Sequence, residues 1–348
     1  MTVRAFITGL SGSELTADER SFLRESAPWG VILFRRNVET PDQVRALTAA
    51  CRDCLGRDAP ILVDQEGGRV QRLGPPHWPV YPPAAAFGRI YRDDRAAGLE
   101  AAALGARLIA ADLRAVGLDV SCLPVADCPV AEADPIIGDR AYGDTTDQIA
   151  ALAGAAAEGL MAGGVLPVLK HLPGHGRATA DSHLALPVVD APRAVLEASD
   201  FVPFRALRTL PLGMTAHVVF SAIDPVAPAT TSAIMVRDVI RGIIGFQGVL
   251  MSDDLSMRAL SGPLGGRTRA ALAAGCDIVL HCNGDLAEMT AVADASPALA
   301  GEALARADAA LARRRPPAAI DLDAARQRFA TLVGAARPGT DPGGQAVA

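Results

Sequence analysis

The segment 170–183, with the sequence KHLPGHGRATADSH, combines residue types that can move protons and hold charge. It contains three histidines, one lysine, one arginine and one aspartate within fourteen residues. Asp181 lies two positions before His183, so its carboxylate can orient the imidazole and stabilise the charged form of the ring. We therefore predict a proton-transfer pair in this loop, working near neutral pH.

Eight apolar, strand-like runs alternate with helix-like segments along most of the chain. The runs are VRAFI, GVILF, PILVD, LDVSCL, VLPVLKH, LGMTAHV, GVLMSD and CDIVLHC. Several of the intervening segments begin at Pro, Thr or Asp and end at Gly, as helices do. Eight strand-helix repeats with almost continuously apolar strands predict an α/β protein with a single (β/α)8 TIM-type barrel. An open, doubly wound sheet remains the alternative.

Polar side chains follow several of these predicted strands. In barrels of this kind the active site gathers at the carboxyl ends of the strands, on the loops that lead into the helices. The polar residues at predicted strand ends are Asp64, Lys170, His171, His217, Asp253, Asp254, His281 and Asn283. One such residue could be a helix cap or a buried structural histidine, but their joint position favours a functional site. Strand alternation alone does not decide between Asp253 and Asp254.

Two arginine-containing loops add candidate ligand contacts. Glu66, Gly67, Gly68 and Arg69 follow Asp64 within the string DQEGGRVQRL, and Arg72 comes shortly after them. A glycine pair beside charged side chains suits the close approach of a ligand, although a solvated surface loop would have the same composition. The string IIGDRAYGD places Arg140 between two glycine-containing turns, as a ligand clamp or as a surface cation.

Composition limits the class of protein and of partner. The chain has 348 residues, half of them hydrophobic, and a formal net charge of −6. This acidic balance, without a long basic run, gives no reason to expect nucleic acid or an anionic membrane as a partner. No apolar run reaches the ~20 residues of a membrane span, and the N-terminus lacks a signal-type apolar segment. We expect a cytoplasmic monomer with reduced cysteines; Cys51 and Cys54 fit one helix better than a metal site.

Four blocks of the sequence resemble the signature segments of glycoside hydrolase family 3. They are DQEGGRVQRL, IIGDRAYG, KHLPGHGRATADSH and GVLMSDDLSM, in this order. The resemblance covers about residues 3 to 335 and is strongest to the bacterial cytoplasmic β-N-acetylhexosaminidase branch of the family. The Asp-Ser-His string is its specific part.

This resemblance implies a function and a role for individual residues. It implies a retaining, exo-acting enzyme that removes terminal non-reducing N-acetylglucosamine from anhydro-muropeptides derived from peptidoglycan. Asp253 matches the nucleophile and His183 the acid/base. Asp181 matches the carboxylate that orients His183 and stabilises its charged form. The positions matching contacts to the sugar are Asp64, Arg72, Arg140, Lys170 and His171. The reference pKa of histidine, ~6.5, would let His183 serve both as acid and as base.

Other reactions stay open at this level. A histidine acid/base has no negative charge to repel phosphate, so a β-N-acetylglucosaminide phosphorylase is an alternative. A metal-dependent barrel hydrolase is another, since the set His171, His175, Asp181, His183, His217 and Asp253 contains metal-binding residue types. A sugar-binding protein without activity is the third. The resemblance itself implies neither a metal nor an organic cofactor.

The C-terminal region has no sign of a second catalytic unit. Residues 303–333 read as two helices separated by Pro316 and Pro317, with the arginine run 313–315 as a charge cluster at a helix C-terminus. We expect a barrel domain over residues 1–336 and a disordered tail over residues 337–348.

Overall fold

Eight parallel strands form a closed barrel in the computed structural model, which describes residues 2–334. Each strand pairs with the strands that precede and follow it in the chain, and the last pairs with the first. The strands are β1 (Arg4–Thr8), β2 (Pro28–Leu33), β3 (Ile61–Val63), β4 (Val120–Ser121), β5 (Leu166–Leu172), β6 (Leu212–Thr215), β7 (Val249–Asp254) and β8 (Ile278–His281). The predicted (β/α)8 barrel is confirmed, with all eight strands where the apolar runs placed them.

Helices surround the barrel and follow its strands in the chain. The α-helices are Ala17–Ser26, Pro41–Leu55, Ala84–Asp93, Arg95–Ala115, Thr146–Ala162, Arg193–Ala198, Phe201–Ala206, Leu264–Ala274, Leu286–Ala295, Gly301–Leu311 and Leu322–Gly334, and a π-helix spans Met235–Ile243. An antiparallel ribbon, Gln65–Gly67 with Val70–Gln71, follows β3, and a parallel one joins Val188–Val189 to Val219–Phe220. No helix within residues 2–334 is both long and apolar enough to cross a bilayer.

Local sequence explains where several helices begin and end. Thr16 and Glu19 form a reciprocal capping box at the first helix, each side chain bonding the other's backbone N–H. Thr40 caps the second helix ahead of Pro41, and Gly56 ends it with a φ of 62°, a left-handed conformation that glycine adopts at low cost.

The segment APRAVLEASDFVPFRAL, residues 191–207, is helix-like in sequence and predicts one helix, but the chain forms two short helices there, because Pro203 cannot donate to the Ser199 carbonyl. The break falls at Ser199 and Asp200, whose side chains both bind Arg177 of the polar loop at 3.1 and 2.7 Å. These contacts replace the helical pattern, since short polar side chains readily compete for local hydrogen bonds. The helix Leu286–Ala295 was not predicted, although Asp285 caps it by accepting from the Glu288 N–H.

The hydrophobic core has two layers. Alternate strand residues such as Ile7, Val168, Met214 and Met251 fill the inside of the barrel. The other face of each strand packs against the surrounding helices. This continuous packing fixes the strand ends, so side chains placed there occupy defined positions.

The C-terminal helices confirm the two that the sequence predicts around Pro316 and Pro317. The arginine run has a different role from a simple charge cluster. Arg314 Nη2 lies 2.9 Å from Oδ2 of the buried Asp119, and Arg313 donates to the Thr209 carbonyl. The run therefore ties the end of Gly301–Leu311 to the segments that precede β4 and β6. The tail predicted over 337–348 lies outside the described residues.

Candidate active site

A cavity of about 420 Å³ opens at the carboxyl ends of the barrel strands. The family resemblance gave roles to eight residues, and seven of them line this cavity: Asp64, Arg72, Arg140, Lys170, His171, His183 and Asp253. The eighth, Asp181, reaches the cavity through its hydrogen bond to His183. The barrel thus brings together side chains from four separate stretches of sequence.

Five charged side chains form one buried network on one side of this cavity. Lys170, on β5, lies between two carboxylates, 3.0 Å from Asp64 Oδ1 and 2.6 Å from Glu66 Oε1. Arg72 Nη2 donates to Asp64 Oδ2 at 3.1 Å. Arg140 holds Glu66 with both Nε and Nη2, at 2.9 and 2.8 Å. We call these five residues the charge cluster.

The cluster is ionised at neutral pH. Burial acts to raise the pKa of Asp64, but Lys170 and Arg72 outweigh it and hold that pKa well below its usual range. Burial likewise opposes ionisation of Glu66, while Arg140 and Lys170 lower its pKa to about 2. The two carboxylates in turn raise the pKa of Lys170 against the effect of burial. Mutual compensation of this kind is what allows charges to stay buried.

Glu66 is the one residue of this cluster to which the sequence analysis gave no individual role, although it named the loop that contains it. The available signal was its position two residues after Asp64, beside the glycine pair. On an extended segment, residues two apart point to the same side, so Asp64 and Glu66 could both face the cavity. Arg140 is not a surface cation, because its side chain is 10% exposed and holds Glu66 with two nitrogens; its contact with a ligand stays a prediction.

His171 is held by a carboxylate that the sequence analysis also missed. Its Nδ1 lies 2.7 Å from Oδ2 of Asp127, a buried residue after β4. Asp127 Oδ1 also accepts from the backbone N–H groups of His171 and His175. The carboxylate therefore fixes the His171 ring and leaves Nε2 toward the cavity. Burial raises the pKa of Asp127, but the histidines and these donors reverse the shift and lower it.

The loop between β5 and the dyad is anchored at its middle residues. His175 is buried, which lowers its pKa to about 4, and its Nε2 lies 3.1 Å from Ser182 Oγ. The Ser182 carbonyl accepts from the Ala259 N–H at 3.2 Å. At Gly176 an added Cβ would collide with the Cys128 carbonyl, so this glycine permits close backbone packing. Ser182, the residue between Asp181 and His183, is therefore the buried anchor of the pair.

His183 and Asp181 form the predicted pair. Asp181 Oδ1 lies 2.7 Å from His183 Nδ1 and also accepts from the His183 backbone N–H at 2.8 Å. Burial acts to raise the pKa of Asp181, and the two bonds from His183 lower it overall. Because Nδ1 is occupied by the carboxylate, Nε2 is the ring atom free to exchange a proton with a ligand. The His183 side chain is 61% exposed, so a ligand could reach it.

Asp253 and Asp254 differ in what their carboxylates contact. The Asp254 carboxylate accepts from the backbone N–H groups of Ser256 and Cys282, at 3.1 Å each. Asp253 Oδ1 accepts from the N–H of Asp254 at 2.8 Å. The Ser256 hydroxyl donates to Asp254 Oδ2, so both oxygens of Asp254 are occupied, whereas a single donor holds Asp253.

The electrostatic setting of Asp253 keeps its carboxylate ionised. Burial acts to raise its pKa, but the positive charge that His217 and His171 carry when protonated, together with the Asp254 N–H, acts in the opposite direction and leaves the pKa below the usual value. A carboxylate that is ionised, lines a cavity and has an unshared oxygen can attack an electrophilic carbon.

Of the other polar residues at the strand ends, one lines the cavity and two are buried. Asn283 lines the cavity. His217 is fully buried and bonded to the backbone of Asp254, and His281 is buried against Glu288. Within residues 2–334 no group of three or more histidine, cysteine, aspartate or glutamate side chains is arranged to hold a metal ion.

Comparisons with known proteins agree with this arrangement. Residues 3–313 match the profile of the glycosyl hydrolase family 3 N terminal domain. A β-hexosaminidase from Alkalilimnicola ehrlichii is 42% identical over 287 residues, which is 81% of this chain and 82% of that protein. A β-hexosaminidase from Xylella fastidiosa is 40% identical over 299 residues, 85% of this chain and 87% of that protein.

Solved structures give the same result. The crystal structure of NagZ from Neisseria gonorrhoeae in complex with N-trifluoroacetyl-D-glucosamine has a TM-score of 0.87 at 32% identity, covering 97% of this chain and 99% of that one. A family 3 β-N-acetylglucosaminidase from Paenibacillus has a TM-score of 0.79 at 32% identity, covering 100% of this chain and 64% of that one. The resemblance seen in the four sequence blocks is confirmed, and the chain belongs to glycosyl hydrolase family 3 and is a glycoside hydrolase.

Proposed function

We propose that this protein is a retaining, exo-acting β-N-acetylglucosaminidase that removes terminal non-reducing N-acetylglucosamine from peptidoglycan-derived anhydro-muropeptides. The coarser activity is that of a β-N-acetylhexosaminidase, which the curated relatives and the solved NagZ structures support. We further propose that it works as a cytoplasmic monomer without a metal or organic cofactor.

The difference between the two neighbouring carboxylates carries the mechanistic proposal. Both line the cavity, but both oxygens of Asp254 are occupied, Oδ1 by two backbone N–H groups and Oδ2 by the Ser256 hydroxyl, whereas Asp253 Oδ2 has no hydrogen-bond partner among the described residues. In the first step Asp253 attacks the anomeric carbon and the glycosidic C–O bond breaks. His183 Nε2 gives its proton to the leaving oxygen, and a glycosyl-aspartate ester remains.

The second step uses the same groups in reverse. Neutral His183 takes a proton from water, the water oxygen attacks the anomeric carbon, and the ester bond to Asp253 breaks. Asp181 stabilises the charged imidazole that is present before the first step and is regenerated by the second, through its 2.7 Å contact with Nδ1. One imidazole therefore replaces the second carboxylate of most retaining glycosidases.

The charge cluster suits recognition of the sugar. It offers carboxylate acceptors on Asp64 and cationic donors on Arg72, Arg140 and Lys170, all held in place before a ligand arrives. Sugar hydroxyls both donate and accept, so alternating fixed donors and acceptors match them. With His171, these are the residues that we propose bind the N-acetylglucosamine unit.

The test measures release of a chromophore from an aryl β-N-acetylglucosaminide and from the matching β-glucoside. We expect selective hydrolysis of the first, with the β-anomer as the initial product by NMR. Asp253→Ala should lose at least ~10³-fold in kcat with an unchanged thermal midpoint, because the covalent route is gone. Added azide should restore release in this variant and give the α-glycosyl azide.

Two further arms separate the alternatives. A sugar 1-phosphate formed in the presence of phosphate would replace hydrolysis by phosphorolysis. Mass spectrometry of anhydro-muropeptides should show loss of a single N-acetylglucosamine residue, which tests the natural substrate class. Full activity of Asp253→Ala, or loss of wild-type activity on dialysis against a chelator, would contradict the proposed mechanism.

A further inference from the structure

His217 is a buried histidine that the proposed chemical steps do not use. It lies two residues after β6 and is 0% exposed. Its Nδ1 lies 2.7 Å from Thr230 Oγ1, and its Nε2 lies 3.0 Å from the backbone oxygen of Asp254. The ring therefore connects the loop after β6 to the end of β7, next to Asp253.

The direction of these hydrogen bonds follows from the acceptor at one end. The Asp254 carbonyl can only accept, so His217 Nε2 must carry a hydrogen and donate it. In the neutral ring Nδ1 is then an acceptor, and the Thr230 hydroxyl donates its single hydrogen there, at 2.7 Å, in preference to the Ala216 carbonyl at 3.1 Å. Thr215 Oγ1, 2.8 Å from Thr230 Oγ1, can donate in turn to the Thr230 oxygen. Burial lowers the pKa of His217, which keeps the ring in this neutral form near pH 7.

The end of β7 needs such a contact because it leaves the regular ladder there. Met251 pairs with Ile278 and Asp254 pairs with Leu280, so three steps along β7 match two along β8. A bulge of this kind re-aims side chains and leaves backbone groups without a strand partner. The Asp254 carbonyl is such a group: it accepts from His217 Nε2 at 3.0 Å and from the Met257 N–H of the following turn at 3.2 Å.

Asp254 transmits this anchor to Asp253. The Asp254 carbonyl is held by His217, and its carboxylate is held by the N–H groups of Ser256 and Cys282. With both ends of the residue fixed, the N–H of Asp254 has a set direction, and it donates to Asp253 Oδ1 at 2.8 Å. The orientation of the carboxylate thus depends on the orientation of Asp254.

We propose that His217 is a positioning residue, which orients Asp253 for attack by donating from Nε2 to the Asp254 carbonyl. The inference rests on the proposed role of Asp253 as nucleophile. It assigns His217 no contact with the sugar and no proton transfer.

Two variants of His217 separate this role from simple packing. The amide of asparagine falls near the position of the histidine Nδ1, so His217→Asn keeps a partner for Thr230 but not for Asp254. The longer glutamine places its amide near Nε2, so His217→Gln keeps the donor to Asp254. We expect kcat/KM to fall about tenfold in His217→Asn, the effect of one lost hydrogen bond, and to recover most of this in His217→Gln.

Ligand binding separates positioning from a general structural defect, because a structural defect would weaken binding as well as lower kcat/KM. The inhibition constant of N-acetylglucosamine should stay within about twofold of wild type in both variants, because the charge cluster lies on other strands. Equal losses of kcat/KM in the two variants, or no loss in His217→Asn, would overturn the inference. If His217→Asn does not fold, Thr230→Val replaces it with Thr230→Ser as its control, and the same split between kcat/KM and binding is expected.

Measuring Asp253→Ala in the same assay separates the proposed nucleophile role of Asp253 from the proposed positioning role of His217. Retained hydrolysis in Asp253→Ala would overturn the nucleophile assignment and this inference together. Abolished hydrolysis in Asp253→Ala with wild-type kcat/KM in His217→Asn would overturn the inference alone.

Discussion

Replacing Glu66 by glutamine tests whether the charge cluster stabilises the fold as its geometry indicates. Glu66 accepts two hydrogen bonds from Arg140 and lies 2.6 Å from Lys170 Nζ. Its side chain is only 5% exposed, so water screens these contacts little. Glutamine preserves the shape of the side chain and removes its charge, which leaves both cations with one counter-charge fewer.

The size of the effect follows from the pKa of Glu66. A carboxyl whose pKa falls from 4.5 to about 2 on folding stabilises the folded state by about 3 kcal/mol at neutral pH. Loss of one partner of a buried ion pair costs a similar ~3–5 kcal/mol. Because the folded-state pKa is depressed, this contribution is complete above pH ~4.5 and is lost as the pH falls toward ~2. At pH 3 it amounts to about 1 kcal/mol by the same relation.

Urea unfolding of wild type and Glu66→Gln, followed by tryptophan fluorescence at several pH values, measures this difference. We expect a loss of about 3 kcal/mol in the free energy of unfolding at pH 7, shrinking to about 1 kcal/mol at pH 3. Asp139→Asn is the matched control: Asp139 is 49% exposed, contacts exposed Arg69 at 3.4 Å, and should change the free energy by less than ~0.5 kcal/mol. A difference for Glu66→Gln that is below ~1 kcal/mol at pH 7, or independent of pH, would refute the reasoning.

Two further predictions concern the dyad loop. Asp181→Asn should lower kcat/KM by ~10–100-fold for substrates with poor leaving groups and much less for activated aryl glycosides, because it weakens acid catalysis by exposed His183; equal losses across leaving groups would contradict this role. Ser182→Ala should lower the free energy of unfolding by ~1–2 kcal/mol, since His175 Nε2 loses its buried partner, and an unchanged thermal midpoint would show that this contact does not anchor the loop.

Much of the fold was predictable because it depends on patterns that are local in sequence. The eight strands appear as apolar runs, and residues such as Thr16, Thr40 and Gly56 mark helix ends by their own backbone preferences. The break at Ser199 and Asp200 had one local signal, since Pro203 lacks the N–H that would bond the Ser199 carbonyl and its ring crowds that carbonyl. The two side chains also contact Arg177, which comes from a different segment. The sequence contains no local sign of that contact.

The residues of the site were likewise predictable only in part. The polar residues at strand ends follow from barrel geometry, whereas the partners that hold them do not. Asp127 follows β4, and only the folded barrel brings its carboxylate to His171 of β5. Alternation could not separate Asp253 from Asp254, since the shift in β7–β8 register breaks the rule that alternation assumes.

Because of the bulge in β7, the chemistry of this site depends on the number of residues in that strand as well as on their identity. Asp253 and Asp254 have the same side chain. The number of residues between the last regular β7–β8 pair and the site decides which of them accepts from the N–H groups of Ser256 and Cys282. A one-residue deletion at Met251 or Ser252 would leave both aspartates in the sequence, yet it would move Asp254 into the surroundings of Asp253 and Asp253 into those of Ser252. Two family members could therefore match at every aspartate and still differ in activity through a single gap in this strand.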